Sequence, residues 1–116
     1  MQIMRDKKGR TDSIVEVKKF LEEIKTENIH FKKHFYDKTK ERPITEGMVK
    51  EYLKKTDRLL KVEEQPSRVQ EEEKYKLWIK LSNKYSLVVI VTISGKGLYI
   101  ITSWNTNRKW QKEIQK

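Results

Sequence analysis

The segment from Lys74 to Trp104 constrains this chain more than any other, because it can only be a β-meander. Tyr85 to Ile93 is an almost unbroken run of apolar and β-branched residues. Its longest apolar stretch, Leu87 to Ile93, is far below the roughly 20 residues a membrane helix needs, and the composition of the run marks a central strand covered on both faces or nearly so. Upstream, Lys74 to Leu81 alternates, with Tyr75, Leu77 and Ile79 on one side and Lys76, Trp78 and Lys80 on the other. Ser82-Asn83-Lys84 turns the chain into the central run, and Ser94-Gly95-Lys96-Gly97 turns it out again into a strand from Leu98 to Trp104. Turns this short return a strand antiparallel to its neighbour.

The first half reads differently. Met1 to Arg10 is polar, basic and aperiodic, which predicts a flexible basic leader over residues 1–10 followed by a single α+β domain over residues 11–116. Ser13 and Glu16 fit a capping box, and Ile14, Val17, Phe20, Leu21 and Ile24 then recur at helical spacing to about Lys25. Asn28 to Phe31 reads as a short strand or extended segment, and His34, Phe35 and Lys38 share a helical turn running to Glu41, which Pro43 ends. Thr45 caps a further helix from Glu46 to about Lys55, with Ile44 and Val49 placed as a hydrophobic staple and Met48, Val49, Tyr52 and Leu53 as its buried stripe. Leu59 to Glu63 is a candidate strand, and the basic tail from Asn105 to Lys116 is a candidate short helix bearing Trp110. The expected architecture is two or three helices packed on an antiparallel sheet of about four strands. Helices and strands do not alternate as a doubly wound fold requires.

At 116 residues there is room for one hydrophobic core. Twenty-seven Lys and Arg against seventeen Asp and Glu leave a formal charge of +10, a balance that attracts polyanions at long range and through counterion release. The plainer explanation is solubility, with the cations spent on surface ion pairs. Cysteine is absent, which excludes a disulfide framework, a zinc-thiolate site and a thiol nucleophile, and is compatible with a reducing, cytoplasmic location. The basic N-terminus has no apolar segment behind it and is not a secretory signal. Neither a membrane association nor a cofactor is expected.

Chemistry is most concentrated at His34, Lys38, Glu41 and Arg42. Positions i, i+4 and i+7 share one helix face, so His34, Lys38 and Glu41 can point together. Cleavage of RNA by its own 2'-hydroxyl needs a base, an acid and a cation for the charge developing on phosphate, and these residue types supply all three. A helix exposing His, Lys and Glu is equally an ordinary solvated face. His30 and His34 also stand four apart, but no third histidine exists and Lys32 and Lys33 between them would repel a metal; no metal site is expected, and His30 reads as structural. Aromatic and basic residues interleave through Lys76-Leu77-Trp78, Lys80, Lys84-Tyr85, Tyr99, Trp104 and Arg108-Lys109-Trp110, an arrangement in which bases stack on rings while cations hold phosphates. Some of these rings must fill the core. Tyr75 and Tyr85 are expected inside, Trp78 and Trp110 outside. No glycine-rich phosphate loop or Ser-His-Asp order is present.

The stretch His34-Phe-Tyr-Asp-Lys38-Thr-Lys-Glu41-Arg42-Pro-Ile44-Thr45 resembles the H-A-x-x-R-M-x-E-R-G-I-S opening of the small DUF4258 family, and Leu98-Tyr-Ile-Ile-Thr-Ser-Trp104 resembles the strand that closes its meander. The likeness covers roughly Ile29 to Trp104. Pro43 stands where the family has Gly, and Lys38 where it has Arg, which is not equivalent for bidentate phosphate contacts. That family is similar in layout to the BrnT and RelE group of toxins, so the resemblance implies a metal-independent endoribonuclease paired with a protein antitoxin. On that basis His34, Glu41 and Arg42 are candidate catalytic residues. Lys38, Arg58, Trp78, Lys80, Arg108, Lys109 and Trp110 are candidate RNA contacts. Two other readings use the same residues: a nucleic-acid-binding or protein-interaction domain without chemistry, and a partner-binding subunit that offers its last strand as an open edge.

Overall fold

The structure, a computed structural model, describes residues 10–39, 44–66 and 72–107. In chain order it comprises α1 (Arg10–Glu23), β1 (Ile29–Phe31), α2 (Lys33–Thr39), α3 (Glu46–Lys54), β2 (Leu59–Gln65), β3 (Glu73–Lys80), β4 (Tyr85–Ser94) and β5 (Gly97–Asn107), with single 3-10 turns before β1 and β2. The strands form one sheet in the order β1-β5-β4-β3-β2. Every neighbouring pair is antiparallel except β1 with β5. The expected α+β layering is therefore present, with the short segment before α2 supplying a fifth strand.

Alternation along the strands decides which face meets the helices. Tyr75, Leu77 and Ile79 of β3, Leu87, Val89, Val91 and Ile93 of β4, and Leu98 and Ile100 of β5 share one buried cluster with Val17, Phe20 and Leu21 of α1, Phe35 of α2, and Val49 and Leu53 of α3. All three helices thus lie on one face, called here the inner face, and the intervening strand residues point to the other. The chain makes its tightest turn through Gly95, whose φ of 58° is a conformation that a residue with a Cβ rarely adopts.

The helix boundaries follow local chemistry in one case and tertiary packing in another. Thr45 caps α3 as expected, its Oγ1 accepting from the Met48 N–H at 3.1 Å, and the staple residues Ile44 and Val49 are both buried. The α1 helix starts at Arg10, so Ser13 lies within it and not at its N-terminal boundary. The end of α1 is fixed from outside. Lys54 of α3 donates to the carbonyls of Leu21, at 3.0 Å, and Ile24, while the Thr56 hydroxyl donates to Glu22 Oε2 at 3.0 Å. A cation at the C-terminal end of a helix satisfies carbonyls that lack intrahelical donors and complements the helix dipole. The leader expected over residues 1–10 lies, apart from Arg10, outside the described residues.

Strand β5 runs through Asn107, so Asn105 to Asn107 belong to the sheet and not to a tail helix. It also carries an irregularity: Ile90 pairs with Thr102 but Val91 pairs with Ile100, which leaves Ile101 as an extra residue. An extra residue reverses the alternation beyond it. Ser103 consequently faces inward, fully buried, with its hydroxyl on the Val88 carbonyl at 2.8 Å, and Trp104 comes to the side of Trp78.

On the outer face Thr92 is 5% exposed and its hydroxyl has no hydrogen-bond partner among the described residues. Leaving a buried hydroxyl unpaired costs about 1 to 3 kcal/mol, so Thr92→Val is expected to raise the unfolding free energy by about 1 kcal/mol in chemical denaturation. Lower stability in the valine variant would mean that the hydroxyl is satisfied in solution.

Candidate nucleic-acid interface

The cluster that the sequence singles out is assembled only in part. His34 stands exposed on α2, while its neighbour Phe35 is buried beneath the helix. Lys38 falls near the end of the same helix, and its side chain, together with all of Glu41 and Arg42, lies outside the described residues. So do Arg108, Lys109 and Trp110. His30 is in β1 and not on a helix with His34, so the i, i+4 relation that would make them paired ligands does not apply. Among the described residues no three His, Asp or Glu side chains converge as a metal site. The helix α2 is joined to α3 by a hydrogen bond from the Tyr36 hydroxyl to the Glu46 carboxylate, and donating that bond holds the phenol above its usual pKa.

The other predicted contacts stand elsewhere. Arg58 is half-buried, with Nη1 donating to the Lys80 carbonyl at 3.4 Å, which fixes the start of β2 against the end of β3. Trp78 and Lys80 are on β3, on the face turned away from α2. Trp78 does not present an exposed ring as expected. It is 2% exposed, and the Lys76 ammonium lies 4.8 Å from its ring. Tyr85, expected inside, is at the outer end of β4 with 48% exposure, because the strand begins beyond the cover of the helices. Tyr75 is in the core as anticipated.

What the sheet does gather is a basic outer face. Strand register places Lys61 and Glu63 of β2, Lys74, Lys76, Trp78 and Lys80 of β3, and Thr102, Trp104 and Thr106 of β5 on this side. Lys76 is its centre, since its ammonium is 4.8 Å from the Trp78 ring and 5.5 Å from that of Trp104. A cation over two aromatic faces is positioned by the rings themselves, and Glu63 is its direct cross-strand neighbour on this face. Among the described residues, Lys61 pairs with Glu63 at 3.5 Å. Lys61 and Lys74 escape a reading based on aromatic and basic neighbours in sequence; the alternation of β2 and β3 was the signal for them.

Neither α1 nor β1 obstructs this face. The α1 helix packs on the inner side, above β2 and beside α3. The last strand is not a bare edge either: β1 pairs with Leu98, Tyr99 and Ile100, and the Lys32 N–H extends the ladder to the Ile100 carbonyl at 2.8 Å. No helix among the described residues is long and apolar enough to cross a membrane. The chain matches no family model, no curated protein and no solved structure.

Proposed function

We propose that this chain is an RNA-binding domain of toxin-like layout that holds the phosphate backbone on the outer face of its sheet. The observation that carries the reading is the placement of Lys74, Lys76 and Lys80 on three of four consecutive outward positions of one strand, with Trp78 between the second and third, beside Trp104 and on the face turned away from the helices. Outward positions on a strand repeat at about 6.8 Å, twice the rise per residue, which is close to the spacing of phosphates along a nucleic-acid strand. The formal charge of +10 supports the same choice of ligand.

A second reading, a metal-independent ribonuclease of a toxin-antitoxin pair, is favoured by the order of elements. A helix bearing His34, a capped helix, a strand and a meander follow one another as the resemblance leads one to expect. In this reading His34 is the base or acid, Glu41 its counterpart, and Arg42 and Lys38 the phosphate ligands.

One experiment addresses both. Fluorescence anisotropy of a labelled mixed-sequence RNA, titrated at several salt concentrations, is expected to give a log-log slope of about −2 to −3, from roughly 0.7 per phosphate contacted. A slope near zero, or no binding, would sink the RNA reading. The same RNA incubated in EDTA with wild-type protein and His34→Ala distinguishes the two: cleavage abolished by the substitution supports the ribonuclease, and bound but intact RNA supports a binding module.

A further inference from the structure

At the β1 end of the outer face stands a second aromatic group that the lysine row of β3 does not use. His30 is exposed, and its imidazole stacks on the Tyr99 ring, with centroids 5.1 Å apart and planes inclined by 26°. The two are direct partners in the parallel β1-β5 pairing. Lys32 places its ammonium 5.2 Å from the centre of the same tyrosine ring. Room for that ring depends on Gly97, where an added Cβ would come within 3.0 Å of it. Across the sheet, Tyr99 pairs with Thr92 and Thr92 with Lys74, so the stack is in register with the first lysine of β3.

We propose that His30 and Tyr99 form a stacking subsite for one unpaired nucleobase, with Lys32 on the adjoining phosphate, so that the RNA bound by this face is single-stranded. The inference rests on the RNA-binding reading and deepens it. Three features carry it. The imidazole is a flat ring already stacked on one side, so a base that joins it extends a stack and does not have to order a mobile side chain. The ring is exposed, on the outward position of an edge strand. A cation adjoins it, as a base stacked on protein needs for its own phosphate. A duplex hides its bases in its own stack and could not use the imidazole. A cross-strand aromatic pair also stabilises a sheet, so the test reads base recognition and not stability.

The protein is titrated against a fluorescent oligouridylate, a base-free ribose-phosphate strand of equal length and an RNA duplex of equal length, for wild type, His30→Ala and His30→Phe. Wild type is expected to prefer the oligouridylate over the base-free strand by about tenfold, the effect of stacking one base. His30→Ala should remove most of that preference while keeping the salt slope, and His30→Phe, which restores a ring, should recover it. Equal affinity of wild type for all three probes, or a preference undiminished in His30→Ala, overturns the subsite and leaves the RNA-binding reading standing. Failure to bind any probe at low salt overturns both.

Discussion

Phe35→Ala is expected to destabilise the protein by about 3 to 5 kcal/mol, the usual cost of emptying a buried phenylalanine site. Phe35 is 1% exposed and packs with its ring centroid 4.7 Å from that of Phe31 and 5.6 Å from that of Tyr36. The helix that carries it, α2, spans Lys33–Thr39, too short to persist without tertiary support. Losing Phe35 removes the main apolar contact that seats α2 against the sheet, and leaves the hydrogen bond between Tyr36 and Glu46 as a solvent-exposed tether. A domain with a typical stability of about 5 to 15 kcal/mol could lose its cooperative transition altogether, so Phe35→Leu serves beside it, with an expected cost of about 1 to 2 kcal/mol. Urea denaturation measures both. A cost below about 1 kcal/mol for the alanine variant would show that α2 is held by something other than this ring.

Simultaneous replacement of Lys74, Lys76 and Lys80 by glutamine should have the largest effect on binding. Each lysine that neutralises a phosphate contributes about 0.7 to the log-log salt slope on a single strand, so the slope should become shallower by about 2 and affinity at moderate salt should fall roughly a hundredfold. Glutamine preserves part of the aliphatic stem with which Lys76 covers Trp78, which keeps the change electrostatic and not a loss of packing. The same variant should retain the wild-type unfolding midpoint within a few degrees. An unchanged salt slope would place the phosphate contacts elsewhere and remove the support for an outer-face interface.

The meander was legible because its signals are local. A β-branched run, a glycine turn and strict alternation on β3 each state their own geometry, and Thr45 with Met48 states the start of α3 in the same way. What was not legible depends on partners distant in sequence. The start of α1 was misplaced because Ser13 has the chemistry of a cap, yet the helix extends back to Arg10 and is tied at its other end by Lys54. Trp104 illustrates the difficulty best. Counting by twos from Leu98 puts it with the core, and the extra residue at Ile101 is what moves it beside Trp78 and Lys76. No residue type announces that bulge, which arises from how β4 and β5 fit. For the site, the interleaving of Lys76, Trp78, Lys80, Tyr99 and Trp104 was visible as a pattern. Which rings are open was not: Trp78 is covered and Tyr85 is bare, because exposure is decided by what lies over a strand.

The pairing of β1 with β5 has a consequence for how the molecule comes into being. Ile29 partners Leu98, positions 69 apart along the chain (98 minus 29), so this ladder closes a loop that contains two helices and three strands. Such distant closure is slow compared with forming helices or hairpins. As the chain leaves the ribosome, the β2 to β4 portion of the sheet can zip up by near neighbours, whereas β1 must wait for the last strand to emerge. The His30 and Tyr99 stack, shared between β1 and β5, then forms after the hairpin contacts of β2 to β4. A nascent or truncated chain lacking β5 would have neither this ladder nor the stack.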